Sequence, residues 1–403
     1  MNREITARDS VGALLPIMGV VFIAFLIIGM AMPVLPLHVH QGLGLGTFIV
    51  GLVAGSQFAA ALLSRVWAGD NADTRGAKHA VIVGLLMSAV AGLLYLLSLR
   101  LVRHPGGSAT ILLLGRAVLG AGESFIITGA QAWGLALASP RSTGRVLAWM
   151  GTAMFAAFAV GAPIGTTLYG AYGFEAIALA TTLLPLATLL LAAPVPRVAP
   201  TARVRPSLAK VVGAVWLPGL GLAMSSFGFG AMTAFVSLLF AARSWTVWPA
   251  FTSFAVAFIA ARLFLGQLPD KIGGARVALI FVLIEALGQT LLWMAPGFAP
   301  ALLGAVLTGF GYSLVFPGFG VEAIRRAPPH NQGLAVGAYT AFLDLTLGLA
   351  TPLLGFIGGI AGIGSVFLTS AVVVLASAFV AMQLLPSRSG ARFADLCVHA
   401  GKV

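Results

Sequence analysis

The sequence predicts an all-α membrane protein of twelve transmembrane helices, arranged as two six-helix, pseudo-symmetric bundles. Composition, the run of apolar stretches and an internal repeat predict it. Of 403 residues, 59% are hydrophobic and only 8% charged. A soluble domain carries roughly a quarter charged residues, so lipid must solvate most of this surface. One span needs about 20 mostly apolar residues. Twelve such stretches centre near 11–33, 46–67, 79–99, 109–135, 146–168, 175–195, 211–239, 247–266, 276–295, 300–323, 334–357 and 361–384; they are spans one to twelve below. The first is too long for the apolar region of a signal peptide and lacks a small-x-small cleavage site, so it reads as a retained helix.

The formal charge of +12 is placed unevenly. With the N-terminus inside, 19 of 23 Lys and Arg fall in cytoplasmic segments; Arg100, Arg103 and Arg243 fall outside, and Arg116 lies within a span. This positive-inside bias puts both termini in the cytoplasm, and it attributes the basic balance to anionic headgroups, with no nucleic-acid partner. Cys397 is the only cysteine, so no intramolecular disulfide forms, and it is not part of a lipidation signal.

The two halves repeat. Arg65, Gly69, Asp73 and Gly76 recur as Arg262, Gly266, Asp270 and Gly273, each 197 positions on. A second register of 189 pairs Gly120 with Gly309, Gly122 with Gly311, Ser124 with Ser313, Gly129 with Gly318, Gly144 with Gly333 and Pro163 with Pro352. The longer loop from Arg100 to Ser108 absorbs the change of offset. The halves are therefore duplicated: 1–196 an N-terminal six-helix bundle, 197–210 a Pro- and Arg-rich cytoplasmic linker, 211–403 a C-terminal six-helix bundle with a short tail. Six spans per half insert both copies in the same orientation, with a site at their interface near the midplane.

These motifs resemble a known family. Gly69-x-x-x-Asp73-x-x-Gly76-x-Lys78, with its copy at Gly266, Asp270, Lys271 and Gly273, is similar to the cytoplasmic signature of the major facilitator superfamily. Arg116-x-x-x-Gly120-x-Gly122 resembles its fourth-helix motif, and Gly161-Ala-Pro163-Ile-Gly165 the fifth-helix motif of its exporters. Stretches from Ser313 and from Asn331 resemble the bacterial YhhS/YfcJ-like branch. Thr74 departs from the usual basic residue after Asp73, and the fifth-helix motif is degenerate. The resemblance implies the superfamily's fold, with spans one, four, seven and ten lining a cavity, span nine at the periphery, and secondary transport in the bacterial inner membrane. Independently of that likeness, a loop Asp can cap the partially positive start of a neighbouring helix. Asp73 would cap span eleven and Asp270 span five, a latch that exists only with the cytoplasmic side closed; a plain tight turn with a solvated Asp is the alternative.

A charge at a helix centre costs about 2.5–3.5 kcal/mol on insertion scales, so each asks for a role. Arg116 and Glu123 lie seven residues apart on span four, nearly two turns and so on one face, with Ser124, Thr128 and Gln131 extending a polar stripe. They suit substrate binding or proton relay; tethering of Arg116 to backbone carbonyls is the structural alternative. Asp344 shares a stripe with Thr340, Gly348 and Thr351 on span eleven. It suits a proton carrier, or a hydrogen bond to a hydroxyl of span two or seven. Ser226, Gly230, Thr233 and Ser237 give span seven one polar face. Glu285 and Gln289, four apart on span nine, read as an interhelical hydrogen bond or a protonated acid, with a coupling role as the alternative; Glu322 reads as a local partner of Arg325 and Arg326, and Gly51-x-x-x-Gly55 as a close helix approach. His38 and His40 lack a third ligand, so no metal site is expected.

No phosphate-cradling G-x-x-x-x-G-K-[ST] occurs, and no His inside a span could activate a serine, so neither ATP drive nor hydrolysis is expected. The chain reads as a non-enzyme without cofactors. It is expected to act as a monomer, moving a small molecule by alternating access in proton-coupled efflux. The alternatives are a sugar or metabolite uptake symporter, and a sensor or scaffold that transports nothing. The absence of Asn from the predicted spans argues mildly against a sugar site, which needs many hydrogen-bond partners.

Overall fold

A computed structural model describes residues 7–137, 143–198, 208–327 and 332–385. Twelve helices there are long and apolar enough to cross a membrane. Spans one to six are Ala7–Leu37, Thr47–Arg75, Ala77–Leu99, Pro105–Leu137, Thr143–Tyr172 and Phe174–Ala192. Spans seven to twelve are Leu208–Ala242, Trp248–Leu265, Gly274–Met294, Phe298–Arg326, Gln332–Ala361 and Ile363–Leu384. There is no strand among the described residues.

Packing repeats between the halves. Span two lies on four, three on four and six, and one on five and six; eight lies on ten, nine on ten and twelve, and seven on eleven and twelve. The glycine repeat has a physical cause in these crossings. A methyl group on Gly120 would sit 1.9 Å from the Gln57 carbonyl oxygen, and one on Gly309 would sit 2.1 Å from that of Phe254. Only glycine allows both backbones so close. Turns obey the same registers. Gly76 and Gly273 have φ of 96° and 94°, while Gly173 and Gly362, 189 positions apart, have 70° and 83°. Side chains rarely adopt that region.

One boundary differs from expectation. The apolar stretch that predicts span two ends near 67, but the helix continues to Arg75. Its copy breaks after Leu265 and resumes as the one-turn helix Leu268–Ile272. Pro269 explains the difference: it has no amide to donate and disfavours helix at the residue before it, and the first copy has no proline. The extension also places Asn71 on a span helix, where its side chain hydrogen-bonds His79 at 2.9 Å.

The halves meet along two seams, span two on eleven and span five on eight, with span one against seven between them. Buried apolar residues divide into two clusters. The larger joins the whole N-terminal bundle to the part of the C-terminal bundle remote from the Gly69 and Gly266 turns, including Phe235, Phe251, Leu347 and Phe367. The smaller, with Val215, Phe281, Phe319 and Tyr339, lies on the turn side and contains C-terminal residues alone. Apolar packing thus fuses the bundles on the far side, whereas on the turn side each keeps its own core.

Candidate functional site

Two polar pairs involve span two, one across the seam to span eleven and one to span four. Arg65 of span two forms an ion pair and hydrogen bond with the Asp344 carboxylate of span eleven. Gln57, about two turns away on span two, donates Nε2–H to Glu123 Oε2 of span four at 2.5 Å. Glu123 in turn lies within electrostatic reach of Asp344, Arg116 and Arg65. One guanidinium, Arg65, thus pairs across the seam with Asp344, while the Glu123 carboxyl is held by Gln57 within its own bundle. Asp344 was expected either free for a proton or bonded to a hydroxyl; its partner is instead an arginine counted among the cytoplasmic charges. Gly51-x-x-x-Gly55 does more than pack within one bundle. A methyl on Gly51 would lie 2.1 Å from the Thr351 carbonyl oxygen, and Thr351 Oγ1 donates to the Gly51 carbonyl at 2.9 Å. The motif thus seats span eleven of the other half.

Arg116 is buried on span four with Nε and Nη1 lacking a hydrogen-bond partner among the described residues. It sits beside the buried Tyr95 hydroxyl and lies within electrostatic reach of Glu123. Neither of these two nitrogens bonds a backbone carbonyl among the described residues. Ser124 is buried with no hydrogen-bond partner among the described residues, and Thr128 and Gln131 continue the stripe half-buried. Ser226 and Thr233 do not join the cluster: each hydroxyl donates to its own helix, at the Leu222 carbonyl (2.7 Å) and the Phe229 carbonyl (3.0 Å).

The two registers together expose an asymmetry. Tyr312 occupies the position equivalent to Glu123, Phe254 that of Gln57, Phe155 that of Asp344, and Arg262 that of Arg65. At the five–eight seam, Phe155 and Phe258 stack with centroids 3.4 Å apart. Arg262 lies over the Phe258 ring at 4.9 Å and donates to the Ser313 carbonyl at 3.1 Å. Tyr312 stacks on Phe229 at 5.1 Å. A polar seam therefore stands opposite an aromatic one.

The fifth-helix motif also acts at this second seam. Pro163 has no amide, so the Ala159 carbonyl loses its helical donor; Thr252 of span eight supplies one at 2.8 Å. Gly161 and Gly165 take span one at close range, a methyl on Gly165 falling 2.2 Å from the Met30 carbonyl oxygen.

Elsewhere, Lys78 donates to the Ala193 and Val195 carbonyls at 2.6 and 2.8 Å, tying the end of span six to the start of span three. Gly69 is a helical residue of span two, Gly266 ends span eight, and Asp270 and Lys271 are exposed. The side chains at the starts of spans five and eleven, which Asp270 and Asp73 would cap, lie outside the described residues. Glu285 accepts a hydrogen bond from Ser225, and Gln289 donates to Thr308 at 3.2 Å. Glu322 pairs with Arg325 at 3.4 Å and also accepts from the first turn of span nine, at the Ala275 amide, 3.2 Å. His38 stacks on Phe174 at 4.1 Å, and His40 donates to the Leu45 carbonyl.

The family model for the Major Facilitator Superfamily matches residues 17–249 and 244–394. The chain belongs to the major facilitator superfamily. This superfamily member is 42% identical over 384 residues to an uncharacterized MFS-type transporter of Salmonella typhimurium, covering 94% of this chain and 98% of the relative. A Burkholderia pseudomallei MFS-type transporter is 40% identical over 378 residues, covering 92% of each. Solved structures share the fold. A D-xylose–proton symporter superposes with TM-score 0.75 at 13% identity, over 94% of this chain and 98% of its own. The human organic anion transporter gives 0.69 at 15%, over 92% and 99%. The superfamily member is thus a multi-pass secondary transporter of small molecules, not an enzyme.

Proposed function

We propose that the protein exports small amphipathic compounds in exchange for protons, with both termini in the cytoplasm of a bacterial cell and the bilayer its inner membrane. The carrying observation is the ion pair across the seam: Asp344 of one bundle pairs with Arg65 of the other, and the Glu123 carboxyl lies within electrostatic reach of both. Adding or removing one proton there changes the attraction between bundles, which links ion binding to rocking. The positive-inside bias supports the orientation, and in that orientation the described state opens toward the cytoplasm. The polar and aromatic seams support an amphipathic solute. The membrane potential supplies about 2.3 kcal/mol per charge per 100 mV, enough to concentrate a solute with one proton.

In this reading Arg116 tunes Glu123 and faces substrate with Ser124, Thr128 and Gln131. Ser226 and Thr233 shape span seven without contacting solute in this state. Asp73 and Asp270, with Gly69, Gly76, Lys78, Gly266, Lys271 and Gly273 framing their turns, latch the opposite state. Gly161, Pro163 and Gly165 let span five ride on span one. One protomer suffices, since both seams lie within one chain.

Proteoliposomes with an imposed pH gradient test this. Uptake of a panel of amphipathic dyes should follow the gradient in wild type and lose that dependence in Glu123→Gln. Gradient-insensitive movement of a transported dye by wild type overturns the coupling.

A further inference from the structure

A pocket of about 330 Å³ opens on the turn side, apart from the seam cluster, lined by Arg75, Gly76, Lys78, His79, Ile82, Arg197 and Val198. We propose that it binds the phosphate of an anionic phospholipid, clamping the turn between spans two and three to the interdomain linker.

Three kinds of observation point there. First, the lining is cationic: Arg75 of span two and Arg197 of the linker are exposed and line it, Lys78 adds a third positive charge, and no acidic side chain lines it among the described residues. Second, span three begins there at Ala77, which sets the positive end of its dipole beside the pocket. Gly76, at φ 96°, turns the backbone into that start, and the Val198 carbonyl oxygen would lie 3.4 Å from a methyl placed on it. Third, the walls are fixed beforehand. Lys78 bonds the Ala193 and Val195 carbonyls, Trp133 Nε1 donates to the Pro196 carbonyl at 2.8 Å, and His79 is held by Asn71. Both backbones that carry the arginines are thereby placed before any ligand arrives.

The volume is at the small end for a ligand pocket, suited to a headgroup. Ile82 and Val198 supply an apolar border beside the cations. A free phosphate has no use for that border, whereas the glycerol and first methylenes of a lipid do. Arginine forks match phosphate oxygens two at a time, so the same lipid can bridge Arg75 and Arg197.

Native mass spectrometry of the full-length protein tests this, with release from nanodiscs of phosphatidylcholine doped with phosphatidylglycerol. Wild type should retain one phosphatidylglycerol in preference to phosphatidylcholine. Arg75→Ala/Arg197→Ala should weaken retention about 30-fold, from two arginines at roughly a factor of five each. The variant Arg75→Lys/Arg197→Lys should keep most of it, separating charge from folding. Equal retention by wild type and the alanine variant overturns the pocket assignment. Displacement of the lipid by excess inorganic phosphate overturns the lipid as ligand in favour of free phosphate.

Discussion

Removing the Asp344 charge should release the seam between spans two and eleven. The Asp344 side chain is 9% exposed and that of Arg65 30%, so the pair is largely withdrawn from water. At an effective dielectric near 20, opposite charges about 4 Å apart attract by about 4 kcal/mol. Partial hydration of Arg65 and the residual pull of Glu123 reduce the loss in Asp344→Asn to about 1–3 kcal/mol, roughly a 5–150-fold population shift. The shift favours the state closed on the turn side, because the pair belongs to the state described here. Nitroxide labels at Thr74 and Gln267, both exposed on the turns of opposite bundles, report it by pulsed electron resonance once Cys397 is replaced. Asp344→Asn and Arg65→Ala should each shorten the label separation. The double variant should shift no further than either alone, and the exchange Arg65→Asp/Asp344→Arg should restore part of the wild-type distribution. Unchanged distances in both single variants, or fully additive shifts, would refute the reasoning.

Thr252→Val removes the donor to the Ala159 carbonyl freed by Pro163; about 0.5–1.5 kcal/mol of seam attraction should vanish, seen as a smaller shift in the same label distances. Gly120→Ala and Gly309→Ala should each lower stability by about 1–3 kcal/mol or more, because both methyls meet backbone oxygens at about 2 Å; thermal unfolding in detergent should show similar losses in the two. Asp73→Ala and Asp270→Ala should leave the described state intact and depopulate the opposite one. Unchanged protease accessibility and unchanged transport in both would sink the latch.

The spans and the duplication were readable because each rests on local composition or on glycines fixed by close crossings. Gly120 and Gly309 recur because the same two helices cross at the same place in both halves. The pairing of Arg65 with Asp344 was not readable in this way. The two are 279 positions apart, and their equivalents are Arg262 and Phe155, so symmetry predicts no ion pair. Helical phase offered one signal: Arg65 lies fourteen residues beyond Gly51, close to four turns, hence on the face that Gly51 turns to span eleven. The extension of span two to Arg75 was missed because polarity was read as loop, although no proline interrupts it. Glu123 and Asp344 were marked by their cost in lipid; Gln57, Arg65 and Tyr312 required the packed bundles.

The most direct test of alternation at this seam uses a single cysteine at Thr128, on the polar stripe of span four, in a chain with Cys397 replaced by Ser. In sealed vesicles of known orientation, a membrane-impermeant maleimide should label it from the turn side in the resting protein. Imposing the pH gradient with substrate present should lower that rate and raise labelling from the far side. Labelling from both sides at once, or from one side regardless of gradient and substrate, would contradict the account.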